Sequence, residues 1–311
     1  MRKNMKKQGK FLTITGCIFA LGIFLSIIGI ALGGNLAEAS ITQDKFTTKT
    51  FRKTIDNPAE IHSLSFDVSA SDITLQEGSD FSIEGTGISK CKIKDGTWKV
   101  TSKIKNSFFG GLFPIKVGNW NIFGTKKGRK ITITIPKDHA LKEVSLDAKA
   151  IDWRIDRLNC QDLDIDVAAG TIRIDHLTSN KTDISVSAGD VRIKSFQIGG
   201  EAEISCRMGD IRLGSEDTRE NNLCNKLEAE CSMGDVRYYG KLTGDNEVDV
   251  TMGSIKLNLT GSANQYDFSS NATLGDVRHK NRDASPSSAS PLYGTGNLSC
   301  TMGDISVTYS E

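Results

Sequence analysis

The side chains with the greatest capacity for chemistry in this 311-residue chain are its cysteines and histidines, set among 38 carboxylates. Six cysteines lie beyond the N-terminal apolar run: Cys91, Cys160, Cys206, Cys224, Cys231 and Cys300. A structural zinc site wants paired ligands a few residues apart, and none of the six forms a C-x-x-C pair. His62, His139, His176 and His279 are scattered, with no H-E-x-x-H, G-x-S-x-G or P-loop pattern. A polysaccharide-active β-helix enzyme needs carboxylates and bases converging in a groove, whereas the carboxylates here recur periodically. A calcium-binding β-roll would use G-G-x-G-x-D nonapeptides, which are absent. No catalytic residue, metal or cofactor is expected. Charge is nearly balanced at +1, which gives no reason to expect nucleic acid.

What recurs is architectural. CRMGDIRL (206–213), CSMGDVRY (231–238) and CTMGDISV (300–307) belong to a series with VAAGTIRI, VSAGDVRI, VTMGSIKL and ATLGDVRH. Its glycines are Gly170, Gly189, Gly209, Gly234, Gly253, Gly275 and Gly303, separated by 19, 20, 25, 19, 22 and 28 residues. Two degenerate copies, VSASDITL (68–75) and AKAIDWRI (148–155), carry Ser71 and Ile151 in place of glycine. A period near 20 with variable insertions is the mark of stacked repeats. Within each copy apolar and polar residues alternate, as in Leu163, Ile165 and Val167, which is half-buried β structure. Coils this short leave no room for crossover helices. The expected fold is therefore all-β: a single-chain β-solenoid of about 20 residues per coil, each coil stacked on the last at about 4.8 Å.

Glycine supplies the positive φ of a sharp corner. The residue before it, Ala169, Ala188, Met208, Met233, Met252, Leu274 or Met302, is expected to fill the corner from inside, in a core that widens along the chain. Asp and Arg two positions apart point outward, with the Asp column balanced by Arg192, Arg212, Arg237, Lys256 and Arg278. Cys206, Cys231 and Cys300 occupy a position held elsewhere by Val167, Val186 and Val250, so they read as small core residues rather than as a disulfide between repeats. Return segments such as 175–181 carry one inward residue, Leu177.

The strand ITITIP (131–136), the KDHALKEVSLDAKA that follows it and the V-x-x-G-D-[VI] series resemble the bacterial putative-adhesin family of β-strand-repeat proteins, over roughly 61–311. The resemblance implies a β-solenoid on membrane-anchored or exported proteins of Gram-positive bacteria. Relatives are often associated with envelope-stress responses, and the family brings no catalytic residues.

The ends of the repeat region differ in character. Arg2, Lys3, Lys6, Lys7 and Lys10 precede an uncharged run of 22 residues, which as a helix would rise about 33 Å and span a hydrocarbon core of roughly 30 Å. We expect a cytoplasmic segment at 1–10, a transmembrane signal-anchor at 11–33, a linker at 34–60 and an extracellular domain at 61–311. The alternative is secretion after cleavage near Ala39, where A-E-A resembles a signal-peptidase site. Within the domain, the 106–128 insertion interleaves Phe108, Phe109, Phe113 and Trp120 with flanking Lys103, Lys105, Lys126 and Lys127. Aromatic and basic residues together suit an anionic membrane or wall polymer; the same residues would also serve to cap an open end of the solenoid. The expected function is non-enzymatic: an envelope-anchored adhesin or surface-binding protein. The alternative is an envelope-stress sensor that binds anionic lipid, peptide or a signalling protein.

Overall fold

The computed structural model describes residues 50–55, 60–102, 116–117, 120–121, 129–280 and 293–310. The chain divides into two units, Met1–Thr48 and Lys49–Glu311, and every described residue belongs to the second. The expected anchor at 11–33 lies outside the described residues. Among the residues that are described, no helix is long and apolar enough to cross a membrane.

The second unit is all-β. Its N-terminal part comprises β1 (Phe51–Thr54), β2 (Ser63–Gly78), β3 (Ser82–Gly85), β4 (Lys90–Lys94), β5 (Thr97–Ser102), β6 (Lys116–Val117), β7 (Trp120–Asn121) and β8 (Lys130–Pro136). The repeats follow as β9 (Leu141–Ala188), β10 (Val191–Met208), β11 (Ile211–Leu213), β12 (Leu223–Met233), β13 (Val236–Leu242), β14 (Gly244–Met252) and β15 (Ile255–Leu259). The chain closes with β16 (Tyr266–Leu274), β17 (Val277–Lys280), β18 (Gly294–Met302) and β19 (Ile305–Tyr309). Successive rungs pair in parallel and in register. Cys206 lies between Val186 and Cys231, and Cys231 beside Val250. The sequence alternation becomes burial: Ile204, Cys206, Ile211 and Leu213 are buried, while Glu203 and Arg212 face solvent. Leu177 points inward as expected, at 2% exposure.

Rung order departs from chain order at both ends. The expectation that each coil stacks on the last holds only in the middle. At the N-terminal end, β2 is flanked by β5 and β8 on one side and by β9 on the other. The rung made of β5 and β8 is therefore outermost, although it follows β2 in the chain. At the other end, β14 pairs with β18 and β18 with β16. The last rung in sequence thus sits one place in from the end, and β16 with β17 forms the terminal rung. A rung paired on both sides satisfies both rows of its backbone hydrogen-bonding groups, whereas an edge rung satisfies one.

Candidate binding surfaces of the strand stack

The repeated corner is the most regular feature. Gly209 has φ of 135°, and a Cβ there would run into the carbonyl of Gly189. The next rungs repeat that contact, so the corner glycines form a column in which backbone lies on backbone. Gly275, in the terminal rung, is the exception in conformation: it is absent from the positive-φ glycines, although a Cβ on it would still meet Gly303.

The aspartate after the glycine has two tasks. Asp190 Oδ1 accepts the backbone N–H of Asp210 at 3.0 Å, and Asp210 Oδ1 accepts that of Asp235 at 2.9 Å. Asp235 Oδ1 then accepts from Ser254 at 2.9 Å. The second oxygen turns to the arginine two residues on: Arg192 Nη2 donates to Asp190 at 2.8 Å, Arg237 to Asp235 at 2.6 Å and Arg278 to Asp276 at 2.6 Å. Lys256 is followed in the stack by Ser306 rather than by Arg278, because the last rung is inserted there.

The residue before the glycine does not fill the core, and that expectation is corrected. Met208, Met233, Met252 and Met302 are 47%, 41%, 40% and 42% exposed, and Leu274 is 66% exposed. Alternation cannot run through the corner, because the flanking buried residues Cys206 and Ile211 are five positions apart, an odd number. The chain turns at 207–210 and throws the methionine outward. The sequence held one sign of this: no other inward column grows along the chain, so a widening core had nothing else to fill it.

The cysteines do behave as core residues. Cys206 Sγ donates to Gly189 O at 3.2 Å, Cys231 Sγ to Gly209 O at 3.3 Å and Cys300 Sγ to Gly253 O at 3.3 Å. All six described cysteines are free. Burial pushes the Cys160 and Cys224 thiols up to about 12, which makes them poor nucleophiles.

On the sheet face before the corner runs an acidic column, exposed at Glu203 and Glu247 and half-buried at Asp183 and Glu228. Asp183 is beside Glu203, Glu203 beside Glu228 and Glu228 beside Glu247. Asp183 and then burial raise the Glu203 carboxyl above the usual range, with Glu228 adding to the effect. Burial, followed by Asp183 and Asp166, does the same to Asp164. Glu201 is pulled the other way by its hydrogen bond from Lys226. Sequence reading passed over this column because it sits six positions before each glycine, outside the repeated octapeptide.

The histidines are not brought together. His139 Nε2 donates to Ile61 O at 2.8 Å and its ring packs on Phe81, and His62 meets Ser63. His279 Nε2 lies 3.1 Å from Ser270 Oγ, and its Nδ1 lies 2.9 Å from the Tyr309 hydroxyl. No group of three or more His, Cys, Asp or Glu that could hold a metal occurs among the described residues.

Of the expected contact residues, Trp120 is placed in β7 opposite Val117. Phe108, Phe109, Phe113, Lys103, Lys105, Lys126 and Lys127 lie outside the described residues. The structure does place their point of insertion. In the outermost rung Ser102 pairs with Val68 and Lys130 with Asp72, so the chain leaves this rung at Ser102 and has rejoined it at Lys130, where the neighbouring rung needs only residues 69–71. Among the described residues, other strands cover that end. β3 pairs antiparallel with β8 and β1 with β3, while β4 pairs antiparallel with β5. Beneath them Phe81 meets Trp98 edge to face at 6.0 Å.

Stacked parallel rungs with a glycine corner and no converging catalytic set place the described unit among β-repeat proteins. The chain belongs to the Toastrack DUF4097 family, whose model matches residues 61–308. No curated protein matches it. Among solved structures it is similar to a putative adhesin from Bacteroides fragilis (20% identity, 85% of this chain and 98% of that one, TM-score 0.47). It is also similar to a putative lipid binding protein from Parabacteroides distasonis (14% identity, 86% and 98%, TM-score 0.46). A putative cell adhesion protein from Clostridium sporogenes matches at 11% identity over 84% and 99%, with a TM-score of 0.26.

Proposed function

We propose that this protein is a non-enzymatic β-solenoid of the cell envelope, tethered by its N-terminal apolar run with the body outside, and that it binds an anionic membrane or wall polymer. The observation that carries the reading is the corner of the outermost rung, which is given over to a stretch rich in aromatic and basic residues. The glycine corners of the inner rungs, by contrast, each take only a few residues. No Asp or Glu occurs between Asp95 and Asp138, so the insertion carries one sign of charge. Basic residues beside an anionic bilayer contribute about 1 kcal/mol each, screened by salt, and inserted aromatics add a part that salt does not remove.

The test uses a chain beginning at Lys45, which lacks the apolar run, with vesicles of anionic and of zwitterionic lipid. Sedimentation with anionic vesicles is expected, weakening with salt. Replacing Phe108, Phe109, Phe113 and Trp120 with serine should abolish it and leave the melting temperature unchanged. No vesicle binding by the unaltered chain, together with a lower melting temperature in the variant, would make the stretch architecture and remove the proposal.

A further inference from the structure

Four of the six methionines in the chain stand in a single exposed column. Met208 pairs in register with Met233, Met233 with Met252 and Met252 with Met302. The displaced rung order keeps them contiguous: in chain order Met252 would be followed by Leu274, but the inserted last rung sets Met302 beside it and sends Leu274 to the end. The column is one residue wide. Arg207, Ser232, Thr251 and Thr301 flank it on one side, and the glycine and aspartate columns on the other. That strip is too narrow for an apolar docking face, and leucine or valine would have served such a face equally well.

Sulfur is what distinguishes this column. A thioether is a neutral, soft donor that selects soft d10 metals such as Cu(I) over harder ions. Neighbouring rungs are about 4.8 Å apart. With a metal–sulfur bond of about 2.3 Å, two sulfurs in line with a two-coordinate ion are about 4.6 Å apart, close to one rung. The aspartate column next to the corner supplies negative potential. Its Asp304 has Ser306 where other rungs carry arginine or lysine, and the adjoining rung, with Ser254 at the aspartate position, sets Lys256 beside that serine. We propose that Met208, Met233, Met252 and Met302 form a thioether ladder that binds soft monovalent metal ions, Cu(I) in particular, between adjacent rungs.

The full chain in detergent, labelled with 13C at the methionine methyls, would be titrated with Ag(I) in chloride-free buffer. The buried thiols are competing ligands, so the background is Cys206→Val, Cys231→Val and Cys300→Val, which installs the residue native to that column in other rungs. The expected result is that the methyl signals of the four ladder methionines shift while those of Met1 and Met5 stay. Binding should change less than threefold between pH 5 and pH 7.5, because no ligand must lose a proton, in contrast to thiolate or imidazole sites. Met252→Leu with Met302→Leu preserves the apolar surface and should weaken Ag(I) binding at least tenfold with an unchanged melting temperature. Cu(I) held against a bicinchoninate competitor should follow the same order. Silver binding lost with the cysteines, binding that survives the leucine pair, or equal shifts at Met1 and Met5 would each overturn the proposal.

Discussion

The two ends of the stack solve the same problem differently. Each terminal rung of a parallel stack exposes one row of backbone donors and acceptors and one layer of core. At the N-terminal end that layer is closed by antiparallel strands: β3 and β1 continue the sheet beyond β8, and β4 runs beyond β5. Lys90, Lys92 and Lys94 line β4, the kind of charge that discourages further pairing. At the opposite end β16 and β17 pair with β18 and β19, and nothing among the described residues pairs with their outer edge. There Leu274 and Val277 are exposed, and Phe268 is only partly buried. The difference teaches that closure need not be uniform along a repeat: both ends carry aromatic clusters, Phe81 with Trp98 at one and Tyr266 with Phe268, Tyr293 and Tyr309 at the other, but among the described residues only the first is covered by antiparallel strands.

The interior sets the scale against which both ends are measured, and the largest effect belongs there. Gly209→Val places a β-branched residue at positive φ and against the Gly189 carbonyl, and no soluble folded protein is expected. Asp210→Asn keeps an oxygen to accept the Asp235 N–H and should cost about 1 kcal/mol or less in a urea melt. Gly275→Val is the informative third variant. Its backbone needs no positive φ, although a Cβ there still meets the Gly303 carbonyl, so a folded but weakened protein is expected. If Gly209→Val and Gly275→Val lose the same stability, the open end is as constrained as the interior and the contrast fails.

A smaller effect separates the ends directly. Trp98 is 0% exposed beneath the covering strands, and Trp98→Ala should cost about 3–5 kcal/mol. Phe268 stacks on Tyr266 at 5.7 Å but is half open, and Phe268→Ala should cost about 1 kcal/mol, in the range of an aromatic pair beyond its area. Hydrogen exchange sharpens the same point. Amides of β16 and β17 that bond to β18 and β19 should exchange at least tenfold faster than those of β2, which is paired on both sides, since edges open locally at lower free energy.

Much of this was legible from residue spacing. The period near 20, the corner glycines, the inward cysteines and Leu177 follow from alternation and from what a tight turn requires. The rung order at the ends was not legible, because parallel in-register pairing is almost degenerate: β18 fits beside β14 or beyond β16 on the same Gly-Asp pattern. What decides is which rung can better bear an open edge. The final rung carries Leu298, Cys300, Ile305 and Val307 inward, all buried, against Phe268, Ser270, Ala272, Val277 and His279 in the rung outside it. The more apolar rung goes inside, a comparison of whole rungs that local pattern reading does not make. The outward methionines were missed for a different reason: alternation was carried across a bend at which the chain changes direction.

The smallest effect concerns charge, and it too grades along the stack. The acidic column runs through Asp183, Glu203, Glu228 and Glu247 and then gives way to Asn297 and Ser269 toward the open end. Neighbouring carboxylates about 4.8 Å apart repel by roughly 1 kcal/mol in water before screening. Because the Glu203 carboxyl lies above the usual glutamate range when folded, the folded chain holds that proton more tightly than the unfolded chain. Its contribution therefore destabilises as pH rises through this window, and the penalty is absent below the ordinary glutamate value. Glu203→Gln should raise the melting temperature by about 1–2 °C at pH 7 and low salt. It should do nothing at pH 3.5 and lose its advantage in 0.5 M salt. Glu201 has the opposite sign. Lys226 holds its carboxyl below the usual range, so it stabilises above the ordinary glutamate value and that stability is lost as pH falls through the lowered one. Glu201→Gln should lower the melting temperature at pH 7 and converge with the unaltered chain in acid. Melts across pH 3.5–7.5 would show the two variants diverging in opposite directions from a common acid limit. A fall in melting temperature for Glu203→Gln at pH 7 would mean that the column is held together by something other than the charges its neighbours carry.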